Sequence, residues 1–466
     1  MRAKTWITIL AIAVIFGVLW YNLRPEREGE GLFGGKEEEH TLILWYTDES
    51  LTDYLNSACI AFQDENGVRV EPVLKTGLEY IEEIYQASLS GEEMPDLYIT
   101  GSDTLEKAAL AGLAVPIEDP ERVVNSFNFP PIAFQAVSYQ GKQIAYPFYY
   151  ETAFLLYNQT YLSQMADAEL RSNPDEEMDE EGEGHVYVPN AGIPEGYTEE
   201  SWNEAVNKRA QELVPSSIEE IRQLAATHGA PEGMENFFLW DVSDIFYNYF
   251  FTGAYMNVGG ECGDDPSQLD ICNEDTIRCM TAYRDLHEYF SIESKESSYE
   301  KVLQDFLEGK SLCTIVTTDA LATIEKACYD GEFRYGYGVA PLPGLDAEHG
   351  ARGLSTTSCV VVNGYSSYPS EANLFAEYVM YESADTLYDR TGKMPCMGGA
   401  QDEAVGAHTV VRQIYMESAS LPKLITLSNF WLELELAYTR IWDGADPEET
   451  LRALAGQMEE QMKKQL

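Results

Sequence analysis

The sequence predicts an α/β protein of two lobes, each built on a doubly wound, mostly parallel sheet, behind an N-terminal membrane segment. The chain has 466 residues, which is too long for one ordinary hydrophobic core and suits two domains. Strand-like and helix-like segments alternate from residue 41 to residue 111, a pattern typical of sheets with helices on both faces. An apolar run near the amino terminus supplies the membrane segment.

The first sheet is predicted from apolar strands that alternate with helices whose apolar residues lie three or four positions apart. Ligands of open α/β sheets bind beyond the carboxyl ends of the strands. The loops 47–50, 75–78 and 101–104 are therefore expected to face a ligand. The predicted order is strand Thr41–Tyr46, a helix from Leu51 to Phe62, strand Val68–Leu74, a helix from Tyr80 to Tyr85, strand Asp96–Thr100 and helix Thr104–Ala111.

Strands return after a helical and aromatic middle section, which indicates that the chain crosses between the lobes more than once. The later predicted strands are Ile144–Phe148, Ala153–Tyr157, Ser311–Thr317 and Cys359–Asn363, and residues 424–466 read as helical. We therefore assign residues 41–147 plus 314–382 to the first lobe. Residues 148–313 plus 383–466 form the second lobe.

The N-terminal segment, residues 1–23, is predicted to enter a membrane. Arg2 and Lys4 precede an apolar run from Thr5 to Leu23, which spans roughly 28 Å as a helix, close to the ~30 Å hydrocarbon core. The basic end is expected to stay in the cytoplasm, with the rest of the chain outside. A cleaved signal peptide remains an alternative, but bulky residues follow the apolar core where small ones are needed. We favour a retained anchor with a linker over residues 24–40.

The charge of the chain excludes nucleic acid as a partner. The formal net charge is -49, and such a surface repels phosphate backbones. Part of the excess lies in residues 163–213, which we interpret as a solvated acidic insertion on the second lobe. A calcium site is the alternative there, but the spacing of the acids matches no calcium loop.

The eight cysteines make disulfides plausible in an exported domain. Cys262 and Cys272 flank a turn-rich loop and form the best candidate pair, with free buried thiols as the alternative. There is no Cys-x-x-Cys pair, so a zinc or thioredoxin-type site is not expected. No cofactor is predicted.

Six segments carry a resemblance to a known family. Their order resembles that of the bacterial extracellular solute-binding proteins of ABC importers, which include maltodextrin-binding proteins. The resemblance implies a monomeric receptor of periplasmic-binding-protein-like fold that closes on a small ligand, with a carbohydrate favoured, and docks on permease subunits at the extracytoplasmic face. The segments are TLILWY (41–46), GEEMPDLYITGSD (91–103), GKQIAYPFYYETAFLLYN (141–158), FLEGKSLCTIVTTDALATI (306–324), YGYGVAPLPG (335–344) with SCVVVNGYS (358–366), and FWLELELAYTRIWDGADPEETL (430–451).

The resemblance also implies which residues contact the ligand. Carboxylates and amides suit the hydroxyl edges of a sugar, and aromatic rings suit its C–H faces. Thr100 stands where sugar-binding members carry an aromatic residue, and Asp319 where some carry tryptophan, which puts a maltodextrin ligand in doubt. The implied contacts are Glu49, Thr100, Ser102, Asp103, Glu151, Thr318, Asp319 and Trp431.

Several of these assignments have structural alternatives. Trp240 has no family match and is either a ligand contact or a core residue. Trp431 could also belong to the core, Glu151 could serve a structural ion pair, and Asp103 could cap the helix that follows it.

Other functions have less support from the sequence. The six histidines are scattered, and no serine-nucleophile, zinc-protease or phosphate-loop motif occurs, so a glycoside-active enzyme is the weakest alternative. A membrane-tethered sensor or assembly partner with the same fold is the stronger one, because an anchor concentrates a protein near membrane partners.

Overall fold

The fold was analysed in a computed structural model of the chain. It describes residues 40–465 except 78, 92, 119–122, 173–184, 190, 399–405 and 425–428. The predicted membrane segment and nearly all of the linker lie outside the described residues. Within the described residues, no helix combines the length and the hydropathy needed to cross a membrane. Residues 42–466 form one compact unit.

Most strands are short, but Tyr146–Asn158 has 13 residues and Leu354–Val362 has 9. Ser311–Thr317 is buried at every position because it is a continuous run of small, apolar and β-branched residues. The strands are β1 Thr41–Tyr46, β2 Arg69–Leu74, β3 Leu97–Gly101, β4 Ser138–Tyr139, β5 Lys142–Gln143, β6 Tyr146–Asn158, β7 Asn236–Phe238, β8 Asn257–Val258, β9 Leu269–Asp270, β10 Ser311–Thr317, β11 Tyr337–Ala340, β12 Leu354–Val362, β13 Met394–Pro395 and β14 Ala419–Ser420.

The helices begin and end at recognisable signals. The first ends at Gly67, whose positive φ of 73° suits glycine, and the fifth begins after Asn158, whose side chain caps the Tyr161 N–H. The helices are α1 Thr52–Asn66, α2 Tyr80–Ser90, α3 Leu105–Leu110, α4 Pro131–Val137, α5 Gln159–Arg171, α6 Glu199–Glu212, α7 Ile218–Thr227, α8 Glu274–Phe290, α9 Tyr299–Leu307, α10 Asp319–Asp330, α11 Pro369–Thr391, α12 Ala407–Glu417, α13 Phe430–Trp442 and α14 Pro447–Gln465.

The prediction of separate, mostly parallel sheets is wrong. Ten of the described strands form one mixed sheet with the order β2-β1-β3-β12-β6-β10-β7, to which β11, β13 and β14 attach, while β4-β5 and β8-β9 form two separate hairpins. β1 and β3 are parallel, but β12 is antiparallel to both β3 and β6. The cause is the length of β6, which pairs with β12 over residues 146–152 and with β10 and β11 over residues 153–158. One long strand therefore joins what the sequence predicts as two sheets.

Side-chain alternation along the strands separates the hydrophobic cores. The core that we call the first contains Leu44 and Phe148, and it continues over one face of β6 and β10 through Val316. The second core covers the opposite face, with Ile315 and Trp240. A smaller cluster lies on the other face of β1 and β3.

The predicted acidic insertion, residues 163–213, is more ordered at its ends than a solvated segment. Its first residues belong to α5 and its last to α6. Trp202 on α6 is 3% exposed in the second core, and its indole N–H donates to Asp167 at 2.8 Å. The two helices pack because their apolar faces meet, although their other faces are acidic. Residues 173–184 lie outside the described residues.

The predicted disulfide between Cys262 and Cys272 is not formed. All eight cysteines are free thiols. The two sulfurs lie in different surroundings, because Lys423 acts on Cys262 whereas Arg452 acts on Cys272. The β8–β9 hairpin pairs Asn257 with Asp270 directly, so hydrogen bonds close the loop that the disulfide was expected to close.

We expect added salt to stabilise the folded chain. The net charge of -49 makes the compact state repel itself, and the Debye length falls from about 10 Å at 0.1 M salt to about 3 Å at 1 M. The melting temperature should rise by several degrees over this range, measured by differential scanning calorimetry. NaCl and KCl should act equally. A flat or falling melting temperature would contradict self-repulsion.

Candidate functional site

A cavity lies beside the point where β6 changes partners. Its volume is about 480 Å³, which is within the size range of small-ligand sites. Thr152 is the last residue of β6 that pairs with β12, and Ala153 is the first that pairs with β10. The cavity, which we call the crossing pocket, is lined by Glu151, Asp244, Ile245, Phe246, Tyr247, Tyr299, Thr317, Asp319, Leu354, Thr356, Leu421 and Trp431.

The end of β10 and the start of α10 supply the first polar group of the crossing pocket. Asp319 is the first residue of α10, where the helix dipole favours a carboxylate. The Tyr299 hydroxyl donates to its Oδ1 at 3.0 Å, and the Thr317 hydroxyl also bonds to it. Tyr299 stacks on Tyr247 with 4.9 Å between ring centroids and 7° between planes. Asp319 is thus held in place beside a flat aromatic wall.

Glu151 supplies a second carboxylate. It lies on β6 opposite Thr356 of β12. No hydrogen bond or ion pair reaches its carboxylate from the residues that the structure describes. Burial raises the pKa of Glu151 above its ordinary value, Lys393 opposes the rise, and Asp319 and Asp48 add to it. Glu151 is therefore a half-buried acid with unused hydrogen-bond acceptors.

Asp48, rather than Glu49, is the acid of the first loop that faces this region. Its Oδ2 lies 2.9 Å from Lys393 Nζ and 3.4 Å from the Tyr149 hydroxyl, which donates to it. Burial alone would raise the pKa of Asp48, but hydrogen bonds from Ser50 and Lys393 outweigh burial and lower it. Glu49 is exposed and begins a short 3-10 helix.

The two tryptophans occupy different places. Trp431, near the start of α13, lines the crossing pocket and packs edge-on against Tyr249 at 5.7 Å. Trp240 is 0% exposed in the second core, where it stacks on Phe238 at 4.5 Å. A fully buried ring cannot contact a ligand in the pocket, so the structure favours the core alternative for Trp240.

The loop after β3 does not line the crossing pocket. Thr100 is buried, and its hydroxyl lies 2.9 Å from that of Thr104. Ser102 is 1% exposed. Asp103 is exposed at the start of a 3-10 helix and interacts electrostatically with Lys423.

A buried lysine connects two loops near Asp103. Lys423 is 1% exposed, and its ammonium donates to the backbone oxygens of Gln135 and Cys262. Burial lowers the pKa of Lys423 to about 8, against the pull of the nearby acids. The Gln140 N–H donates to Asp264 at 2.8 Å close by. These bonds tie α4 and the β4–β5 turn to the loop between β8 and β9.

Three of the residues predicted to contact a ligand therefore meet in one cavity, namely Glu151, Asp319 and Trp431. Thr318 lies between two lining residues but is buried and does not line the pocket. The residues that the sequence did not single out are Asp244, Phe246, Tyr247, Tyr299 and Thr356. Phe246 and Tyr247 belong to the aromatic run 246–251, which is visible in the sequence. Nothing in the sequence indicates that Tyr299 lies beside Asp319.

Replacing Glu151 by glutamine is expected to stabilise the folded chain at neutral pH. A carboxyl whose pKa is higher in the folded state costs stability once pH rises above its ordinary value, near 4.5. The variant should therefore unfold at a higher denaturant concentration than the wild type at pH 7, with the difference vanishing towards pH 4. Glu332→Gln, at an exposed turn, is the matched control. A difference that persists unchanged at pH 4 would show that burial of charge is not the cause.

Comparison with known proteins identifies the family of the chain. The model of the family described as bacterial extracellular solute-binding protein matches residues 57–410. The maltodextrin-binding protein MdxE of Bacillus subtilis is 20% identical over 422 residues, covering 88% of this chain and 86% of MdxE.

Solved structures share the fold. A cyclo/maltodextrin-binding protein complexed with maltotetraose has a TM-score of 0.69 at 19% identity, covering 91% of this chain and 97% of its own. The extracellular solute-binding protein of Staphylococcus aureus in complex with maltose has a TM-score of 0.68 at 17% identity, covering 91% of this chain and 98% of its own. The chain thus has the fold of maltose-binding proteins, and it belongs to the bacterial extracellular solute-binding protein family.

Proposed function

We propose that this protein binds a carbohydrate outside the cell membrane and delivers it to an ABC-type importer. The observation that carries the proposal is the crossing pocket, in which carboxylates and aromatic rings converge where one strand changes partners. Relatives named for maltodextrin and structures holding maltose or maltotetraose support a sugar ligand. The protein acts by binding rather than by catalysis.

The residues of the pocket have distinct proposed roles. Glu151 and Asp319 accept hydrogen bonds from sugar hydroxyls, and bonds to charged acceptors contribute roughly 1.5–3 kcal/mol each when desolvated. Trp431 stacks on a sugar ring. Glu49, Thr100, Ser102, Asp103 and Thr318 do not line the pocket in this conformation. We propose that they reach a ligand only after the protein closes.

We propose that closure turns about the strand crossings. β6, the end of β10 and the start of β12 pass the crossing pocket, and small torsional changes there would move the two predicted lobes together. A ligand that contacts both sides shifts the population towards the closed form. The closed form would then dock on permease subunits, with residues 1–23 as the proposed membrane tether.

Ligand binding is expected to raise the melting temperature and to reduce the radius of gyration. A thermal-shift screen of the full chain against mono- and oligosaccharides, amino acids and polyamines identifies the ligand class, and small-angle X-ray scattering at saturation then measures closure. The full chain carries the predicted membrane segment and is therefore kept in a detergent. That detergent must contain no sugar, because alkyl glycosides would compete for the site. An unchanged radius would contradict hinge closure, and stabilisation by non-sugar compounds alone would contradict carbohydrate binding.

A further inference from the structure

The crossing pocket is strongly acidic. Among the described residues that line it, Glu151, Asp244 and Asp319 carry charge and none is a lysine or an arginine. These carboxylates come from β6, from the segment before a 3-10 helix and from the start of α10. The excess of negative charge therefore arises from three separate elements that the fold brings to one cavity.

All three carboxylates act electrostatically on one tyrosine of the pocket. Burial raises the pKa of Tyr247, a hydrogen bond with Thr317 opposes the rise, and the charges of Asp244, Asp319 and Glu151 each add to it. All three acids thus act on a single ring that lines the cavity. A positive group in the cavity beside Tyr247 would be attracted by all three acids.

No lysine or arginine among the described lining residues supplies that positive group. Asp319 is bonded to the hydroxyls of Tyr299 and Thr317, and Asp244 accepts the Phe246 N–H at 2.7 Å, so both have neutral partners. Lys393 acts on Glu151, but its ammonium is paired with Asp48 at 2.9 Å. Glu435 and Asp241 add further negative charge behind Asp244. Glu151 and Asp244 are half-buried, and Asp319 is exposed at the start of α10. Partly buried carboxylates that no cation neutralises cost free energy, so a cationic ligand would complement this pocket.

The aromatic wall suits the same ligand. Tyr247 and Tyr299 are stacked, and Phe246 and Trp431 complete the aromatic lining. The faces of such rings attract ammonium groups and also pack against the C–H faces of sugar rings. A neutral sugar would use the rings and offer hydroxyls to the carboxylates, but it would leave their charge uncompensated.

We infer that the ligand of the crossing pocket is a sugar that carries a protonated primary amine. This inference rests on the proposed carbohydrate function and narrows it. The ammonium sits among Glu151, Asp244 and Asp319 beside Tyr247, while the ring packs on Trp431. Acetylation of the amine removes its charge and adds a bulky group where the carboxylates would hold the ammonium.

Calorimetric titration of the full chain with matched sugars tests the inference. The probes are glucosamine, N-acetylglucosamine and glucose, together with a β-1,4-linked glucosamine disaccharide against cellobiose. We expect the amino sugars to bind at least tenfold more tightly than their neutral or acetylated counterparts at pH 6. This preference should shrink to about twofold in Glu151→Gln and in Asp319→Asn, and remain unchanged in Glu332→Gln. The far end of α10, next to Glu332, is roughly 18 Å from Asp319.

The outcomes separate the inference from the proposed function. Equal binding of neutral and amino sugars would overturn the inference and leave the carbohydrate function standing. Neutral sugars that bind only with added Ca²⁺ would also overturn it, because the metal would then supply the positive charge. Binding of no sugar at all would overturn both. Circular dichroism melts of the two pocket variants confirm that any lost preference reflects the site and not unfolding.

Discussion

Replacing Trp240 by alanine is expected to lower the free energy of unfolding by about 3–5 kcal/mol, the usual cost of truncating a fully buried aromatic side chain. The ring is 0% exposed and contacts Phe238, Phe290 and Trp442 with centroid distances of 4.5–5.4 Å. These large rings cannot move far enough to fill the cavity that the alanine would leave. Denaturant titration followed by circular dichroism measures the loss.

A phenylalanine at the same position provides the matched control. Trp240→Phe keeps most of the packing and loses the indole N–H bond to Asn248, which is 2.9 Å long. Asn248 Oδ1 also accepts from the Tyr283 hydroxyl at 3.2 Å, so it is not left unsatisfied, and a loss of about 1–2 kcal/mol is expected. If Trp240→Ala instead unfolded like the wild type and failed to bind ligand, the ligand role of Trp240 would stand and the core assignment would be wrong.

The comparison of the two tryptophans shows what the sequence could predict. Both stand beside aromatic residues in apolar segments, and periodicity alone does not say which of them faces a cavity. Burial in the second core depends on α8 and α13, which are far apart in the chain, so only the assembled fold separates the two. Glu151 was easier to predict, because a carboxylate within an apolar strand stands out in the sequence.

The first loop shows a finer limit. Sequence reasoning chose Glu49, whereas the structure places Asp48 against Lys393 and Tyr149. The two acids are adjacent, and which one faces inward is set by the 3-10 turn that Asp48 caps through Ser50. Lys393 comes from a loop more than 300 positions later in the chain, and no local pattern connects it to Asp48.

The sequence predicted the strands and helices but not how the strands pair. The predicted strands are present, because apolar runs and turn residues mark them locally. Most ends shift by no more than two residues, but β12 begins five residues before the predicted strand Cys359–Asn363. Whether strands are parallel is decided by how the chain returns, and β6 and β12 run antiparallel over a long register. Two adjacent predicted strands, 144–148 and 153–157, are in fact parts of one strand interrupted in pattern by Glu151.

Replacing Trp431 by alanine is expected to weaken sugar binding at least tenfold while changing the stability of the fold little. The ring is half-buried at the wall of the crossing pocket and packs on Tyr249, so its truncation removes a stacking surface more than it opens the second core. A tenfold loss corresponds to about 1.4 kcal/mol, which is within reach of one aromatic stacking contact together with the apolar area it buries.

The measurement is a calorimetric titration of wild type and Trp431→Ala with the sugar that gives the largest thermal shift, alongside denaturant titrations of both. Trp431→Phe should retain most of the affinity, since a flat ring remains on the pocket wall. Tyr329→Ala, at a position 92% exposed at the far end of α10, should change neither binding nor stability. Loss of stability in Trp431→Ala comparable to that in Trp240→Ala, without a selective loss of affinity, would assign Trp431 to the core and remove the aromatic platform from the proposed site.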